Sequence, residues 1–187
     1  MTTTQASCLA AALTGRTVAW VAGAPTPALT AALAGIGARP PDAGPAHPDL
    51  VVADLRDGVA PTAVDRPGRA PAVLTAVFTA ARAGRDLLTG GTDLTTGAAG
   101  GGLLLIAAAA PGPTGAALHA GLTSLTRTLA TEWAPQQIRV NCLLTPENPA
   151  PPPLADLIGY LAGPAAALLT GQLLTLTPPA ARPGRTA

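Results

Sequence analysis

The sequence predicts a doubly wound α/β fold, a parallel sheet of about five strands with helices on both faces. Three observations predict it. Short apolar runs recur along the chain, each closed by Gly, Pro or a polar residue. Segments rich in Ala and Leu, several opened by helix-start signals, lie between them. The runs are apolar throughout rather than alternating, as strands are when helices cover both faces of a parallel sheet. At 187 residues the chain is read as one domain, 1–187.

Each element follows from its residues. TVAWVAG (17–23) is a buried strand ending in Gly. Thr26-Pro27 is an N-cap and first helical residue, opening a helix that Gly35 and Gly37 end. Residues 38–48 form a Pro-rich linker, and DLVVADL (49–55) is the second strand. Pro71 opens a helix to about Leu88. LLLIAAAA (103–110) is the third strand, and Thr114 is the N-cap expected for a long helix to about Trp133. IRVNCLL (138–144) is the fourth strand, Pro146 to Pro153 a turn, Leu154 to Ala162 a short amphipathic helix, and QLLTLT (172–177) the last strand.

Composition excludes several classes of function. Ala, Gly and Pro make up 85 of 187 residues, and all 11 basic residues are Arg. With no Lys there is no Schiff-base lysine and no phosphate-loop lysine. A net charge of +1 with scattered Arg argues against nucleic-acid binding. The Ala/Gly/Pro/Arg excess is read as codon bias of a GC-rich genome, and a GC-rich bacterium is the expected source. Cys8 and Cys142 are too few for a disulfide framework or a zinc site. Asp49, Asp54 and Asp57, at strand start, strand end and loop, are read as solvated termini and not as a metal site. The uncharged stretch Leu157 to Ala181 is long enough to span a bilayer, but Gly163-Pro164, Thr170-Gly171 and Pro178-Pro179 interrupt it. It is read as helix, turn and strand. The N-terminus has no basic region followed by an apolar core, so a cytoplasmic protein with no membrane partner is expected.

LTSLTRTLATEWAPQQIRVNCLLTP (122–146) resembles the short-chain dehydrogenase/reductase family, a Rossmann-type group. LADLIGYLAGPAAALLTGQLLTL (154–176) is similar to that family's C-terminal block, LTGRTVAWVAGA (13–24) to its first strand, and AVLTAVFTAARA (72–83) to the helix before its catalytic strand. The resemblance implies a Rossmann-like fold and locates the positions where the family keeps its catalytic residues. The Tyr position falls at Gly115 and the Lys position at His119; the Ser position falls at Ala108 and the helix Asn at about Val73. None of the four residue types is kept. The family mechanism needs a phenol and a hydroxyl at the substrate carbonyl, and Gly115 and Ala108 offer neither. Of the Gly-rich cofactor turn only Gly23 remains, with Pro27 where a close-approach Gly is expected. DLVVADL matches the family's fourth strand, so its second and third strands, the adenosine-binding half, are expected to be missing. His119 is read as a helix-surface or interface residue, since a general acid needs a positioned partner.

The regions that the family uses for assembly look preserved. On helix 114–134, Leu118, Leu122, Leu125, Leu129 and Trp133 form a stripe for the sheet. The other side carries Ala117, Ala120, Gly121, Ser124, Thr128 and Thr131, a bland surface suited to contact with another subunit. The expectation is a catalytically inactive, truncated subunit, a pseudoenzyme. It would pair with an active paralogue of that family, or with itself, through a helix-bundle interface, and would stabilise or shape its partner. No cofactor and no metal are expected. The alternatives are a divergent ketoreductase that uses NADP or NAD in a partner-completed site, and a small-molecule or acyl-binding module.

Overall fold

In the computed structural model, the described residues are 14, 16–39, 48–56, 69–89, 101–146 and 148–177. Among them five strands make one sheet: β1 (Val18–Ala22), β2 (Leu50–Asp54), β3 (Gly102–Ala108), β4 (Arg139–Thr145) and β5 (Leu173–Thr175). They lie in the order β1-β2-β3-β4-β5, and every neighbouring pair is parallel. Four helices connect them: α1 (Pro27–Gly35), α2 (Arg69–Thr89), α3 (Gly112–Glu132) and α4 (Pro151–Ala162).

The helices divide between the two faces, which is why the central strands are apolar at every position. Against α2 and α3 lie Val51, Ala53, Leu103, Leu105, Val140, Cys142 and Leu144. Against α1 and α4 lie the alternate residues Leu50, Val52, Leu104, Ile106 and Leu143. All five residues of β2 are buried, whereas four of the five in β1 are half-buried, since β1 is the outermost strand among the described residues. This is the predicted doubly wound α/β architecture. Next to β1 the described residues add one further contact, a parallel bridge between Thr17 and Arg39. The rest of the linker, residues 40–47, lies outside the described residues.

Thr26 caps α1 as expected, its hydroxyl accepting from the Leu29 amide at 3.2 Å. The expected cap of α3 is displaced. Pro111 occupies the N-cap, no side chain caps the helix, and Thr114 lies within the first turn. Pro113 explains the shift, because a proline in the first turn gives up an amide that has no helical acceptor there. The same effect extends α4. Pro151 to Pro153, predicted as a turn, form its first turn. The segment after Leu157 resolves as predicted into the end of α4, a 3₁₀ turn (Pro164–Ala166) and β5. Among the described residues no helix is long and apolar enough to cross a membrane.

Candidate functional site: the carboxyl ends of the strands

In an open α/β sheet, ligands bind outside the carboxyl ends of the strands, where successive helices leave toward opposite faces. Here α1 and α2 leave β1 and β2 on opposite faces, so the crevice to inspect lies between Gly23 and Asp54. Gly23 has φ +67°, and a Cβ there would stand 2.4 Å from the Asp54 carbonyl oxygen. The turn after β1 is therefore pressed against the end of β2. The α1 N-terminus is also poorly furnished for phosphate. Pro27 has no amide hydrogen, and the Leu29 amide is taken by Thr26.

Asp54 is not a solvated terminus, as the sequence suggested; it is only 7% exposed. Arg56 folds back on it as a fork, Nε donating to Oδ1 at 2.8 Å and Nη2 to Oδ2 at 2.5 Å. This ion pair lies at the crevice that the fold would offer a dinucleotide. Asp49, at the other end of β2, is half-buried and pairs with Arg16 at 2.5 Å while accepting from the Thr17 amide. Asp57, His47 and Cys8 lie outside the described residues. Among the described residues no group of His, Cys, Asp and Glu is placed to hold a metal ion.

The four positions implied by the family resemblance lie on three elements, β3, α3 and α2. Ala108 ends β3, half-buried. Gly115 is buried in α3, and a Cβ there would come within 1.8 Å of the Ala110 carbonyl oxygen. The backbone after β3 thus occupies the volume in which a side chain at 115 would begin. His119, one turn further along, is exposed, and Thr123 donates to its backbone carbonyl. Val73 is core, 4% exposed, in the same cluster as Leu118 and Leu122. Of the four, His119 alone has a polar side chain.

At the same end of the sheet the Thr145 hydroxyl is fully buried with no hydrogen-bond partner. Beyond it, Pro146, Asn148, Pro149, Pro153 and Leu176 enclose a largely apolar cavity of about 240 Å³. Neither feature nor the Asp54–Arg56 pair was identified from sequence. The one available signal was Arg56 two residues after an acidic strand end.

The candidate interface lies on α2 and α3. Ala117, Ala120, Ser124, Thr128 and Thr131 are exposed. Gly121 is engaged within the chain, since a Cβ there would meet the Leu74 side chain of α2 at 2.6 Å. On α2, Phe78 and Leu87 are 42% and 44% exposed. The hydroxyls of Thr75, Thr79 and Thr131 are spent on carbonyls four residues back, so these threonines present a less polar surface than their type suggests.

The fold is of the Rossmann type found in short-chain dehydrogenase/reductases, and comparison with solved structures shows this directly. A protein of Burkholderia xenovorans described as a short-chain dehydrogenase/reductase matches with TM-score 0.57 and 16% identity, over 88% of this chain and 95% of the other. BdcA (YjgI) of E. coli matches with TM-score 0.60 and 18% identity, over 88% and 100%. The promiscuous reductase LugOII, which catalyses keto-reduction at C1 during lugdunomycin biosynthesis, matches with TM-score 0.56 and 18% identity, over 88% and 96%. No family model and no curated protein sequence matches the chain.

Proposed function

We propose that this chain is a catalytically inactive subunit built on the reductase fold, which pairs with an active reductase or dehydrogenase paralogue, or with itself, and stabilises or shapes its partner. The observation that carries the reading is at Gly115. At the position where the family resemblance implies a catalytic tyrosine, the main chain leaves no room for a Cβ. The closed approach of Gly23 to Asp54 and the Arg56 fork support the absence of a dinucleotide in the isolated chain. The exposed small residues of α3 and the apolar residues of α2 support association through these two helices.

Titration of the purified chain with NADPH and NADH tests the first half of the reading, and no saturable binding is expected. Co-expression with reductase paralogues of the same genome, followed by affinity capture, tests the second. A stable complex is expected, and Thr128→Arg together with Ala120→Glu should dissociate it. Turnover by the isolated chain would establish the divergent NAD(P)-dependent oxidoreductase instead. A chain that stays monomeric and captures no paralogue would refute association. One observation favours a further reading, a module for a small molecule or acyl chain: the cavity beside Pro146 and Leu176. That reading requires thermal stabilisation by a short acyl ligand.

A further inference from the structure

We propose that the amino-terminal end of the sheet carries an anion-binding site, where Arg16 and Arg139 take the oxyanion head of a small organic acid and neighbouring alanines take its apolar body. The site is a cavity of about 520 Å³, on the side of the sheet away from the Gly23–Asp54 crevice. Arg16, Gln137, Arg139 and Thr170 supply its polar lining, and Ala134 and Ala167 form part of its apolar wall. No carboxylate among the described residues lines it.

The donor set decides the sign of the ligand. Arg139 is fixed by two bonds from Nη1, to the Leu161 carbonyl at 3.0 Å and the Ala166 carbonyl at 2.8 Å. Those carbonyls orient the guanidinium but bring only partial charge. Its Nε and Nη2 have no partner among the described residues, and guanidinium nitrogens donate only. Asp49 answers Arg16, which leaves Arg139 as the unmatched cation. Burial, and then the charge of Arg16, pushes the Arg139 guanidinium below its ordinary value. A bound anion would relieve both causes. The apolar wall restricts the ligand further: a bare inorganic ion would leave it wet, whereas a short aliphatic tail would cover it.

Calorimetric titration at constant ionic strength tests the site with three probes: hexanoate, acetate and inorganic phosphate. Saturable binding of hexanoate is expected, at least tenfold tighter than acetate. Phosphate should compete with it through the head group alone. Ala167→Glu, at an exposed wall position, places a carboxylate beside the two guanidinium groups and should weaken hexanoate at least tenfold without loss of fold. Arg139→Gln should do the same, and if that variant does not fold, Ala167→Glu decides. Absence of saturable binding by all three probes overturns the proposal. So does hexanoate binding that Ala167→Glu leaves unchanged. Phosphate binding tighter than hexanoate also overturns it, as an adventitious ion only. None of these outcomes depends on whether the chain pairs with a reductase.

Discussion

The two ends of this sheet have been built to different standards. At the amino end side-chain hydrogen bonds tie the elements together, although the buried Thr17 hydroxyl has no partner among the described residues. Asn141 donates to the Leu169 carbonyl at 2.8 Å and accepts from the Gln172 amide at 3.1 Å. The Thr170 hydroxyl accepts from the Val140 amide, and Arg139 ties β4 to the end of α4. Arg85 bonds Gln136 and stands 5.7 Å over the Trp133 ring, pinning α2 to the end of α3. At the carboxyl end, where this architecture places its ligands, backbone segments approach each other closely at two glycines. Gly23 abuts Asp54, Gly115 abuts Ala110, and Thr145 is left with an unpaired hydroxyl. The difference is the one expected if, as proposed, the framework is kept and the site is lost.

The sharpest way to break this comparison is to add one methyl group at the carboxyl end. Alanine in place of glycine inside a helix ordinarily stabilises by about 1 kcal/mol. At Gly115 the sign should invert, to a loss of about 3 kcal/mol, because the new Cβ overlaps the Ala110 carbonyl. Urea unfolding of Gly115→Ala measures it. The combination Ala108→Ser, Gly115→Tyr and His119→Lys restores the family's residue types at three of the four positions, and it should give no NADPH oxidation. Turnover in that variant would mean that the end is vacant rather than filled.

Asn141→Leu tests the other end. It leaves the Gln172 amide and the Leu169 carbonyl without partners, and should cost about 2 kcal/mol in the same experiment. A neutral result would remove the distinction between the ends.

The sequence made the framework legible and the site only partly so, for physical reasons. Apolar runs such as Leu103–Ala107 and the stripe from Leu118 to Trp133 report burial directly, and both faces of the sheet follow from them. IRVN and Thr170-Gly171-Gln172 stood out as resembling motifs, and the clamp between Asn141 and Gln172 now accounts for their joint presence. The tight approaches were not legible. Glycine signals that something comes near but not what, and the Ala110 carbonyl has no signature of its own. The Asp54–Arg56 pair was hidden similarly: an acidic residue at a strand end is most often solvated, and only the fold turns Arg56 back upon it. Helix starts suffered for another reason, since prolines at 113 and 151–153 lie within first turns as readily as before them.

Midway between the ends, Cys142 reports how well the core is sealed. Burial pushes its thiol from an ordinary 9.0 up to about 12, against weaker opposing pulls from the Thr126 hydroxyl and the Leu143 backbone. The native state therefore keeps its proton where the unfolded chain has lost it. Stability is unaffected below pH 9 and falls as pH rises from there toward 12, by at most about 1.4 kcal/mol per pH unit. The measurement is a pH series of urea unfolding in a Cys8→Ser background, and Cys142→Ala should flatten it. A thiol reagent at pH 8 should label Cys142 only on unfolding. Rapid labelling of the native chain would mean that the sheet opens locally.

The smallest effect discriminates best, because one substitution can be made at both ends. Valine is nearly the shape of threonine without the hydroxyl. At Thr170 it strands the Val140 amide, a loss of about 1 kcal/mol. At Thr145 the hydroxyl is fully buried and bonds nothing, so removing it lifts a desolvation penalty, a gain of about 1 kcal/mol. The two variants should therefore move the urea midpoint in opposite directions, with unchanged slope. If Thr145→Val destabilises as Thr170→Val does, its hydroxyl has a partner in solution. The carboxyl end would then hold ordered water or a ligand, and the closed crevice would have to be reread as an occupied one.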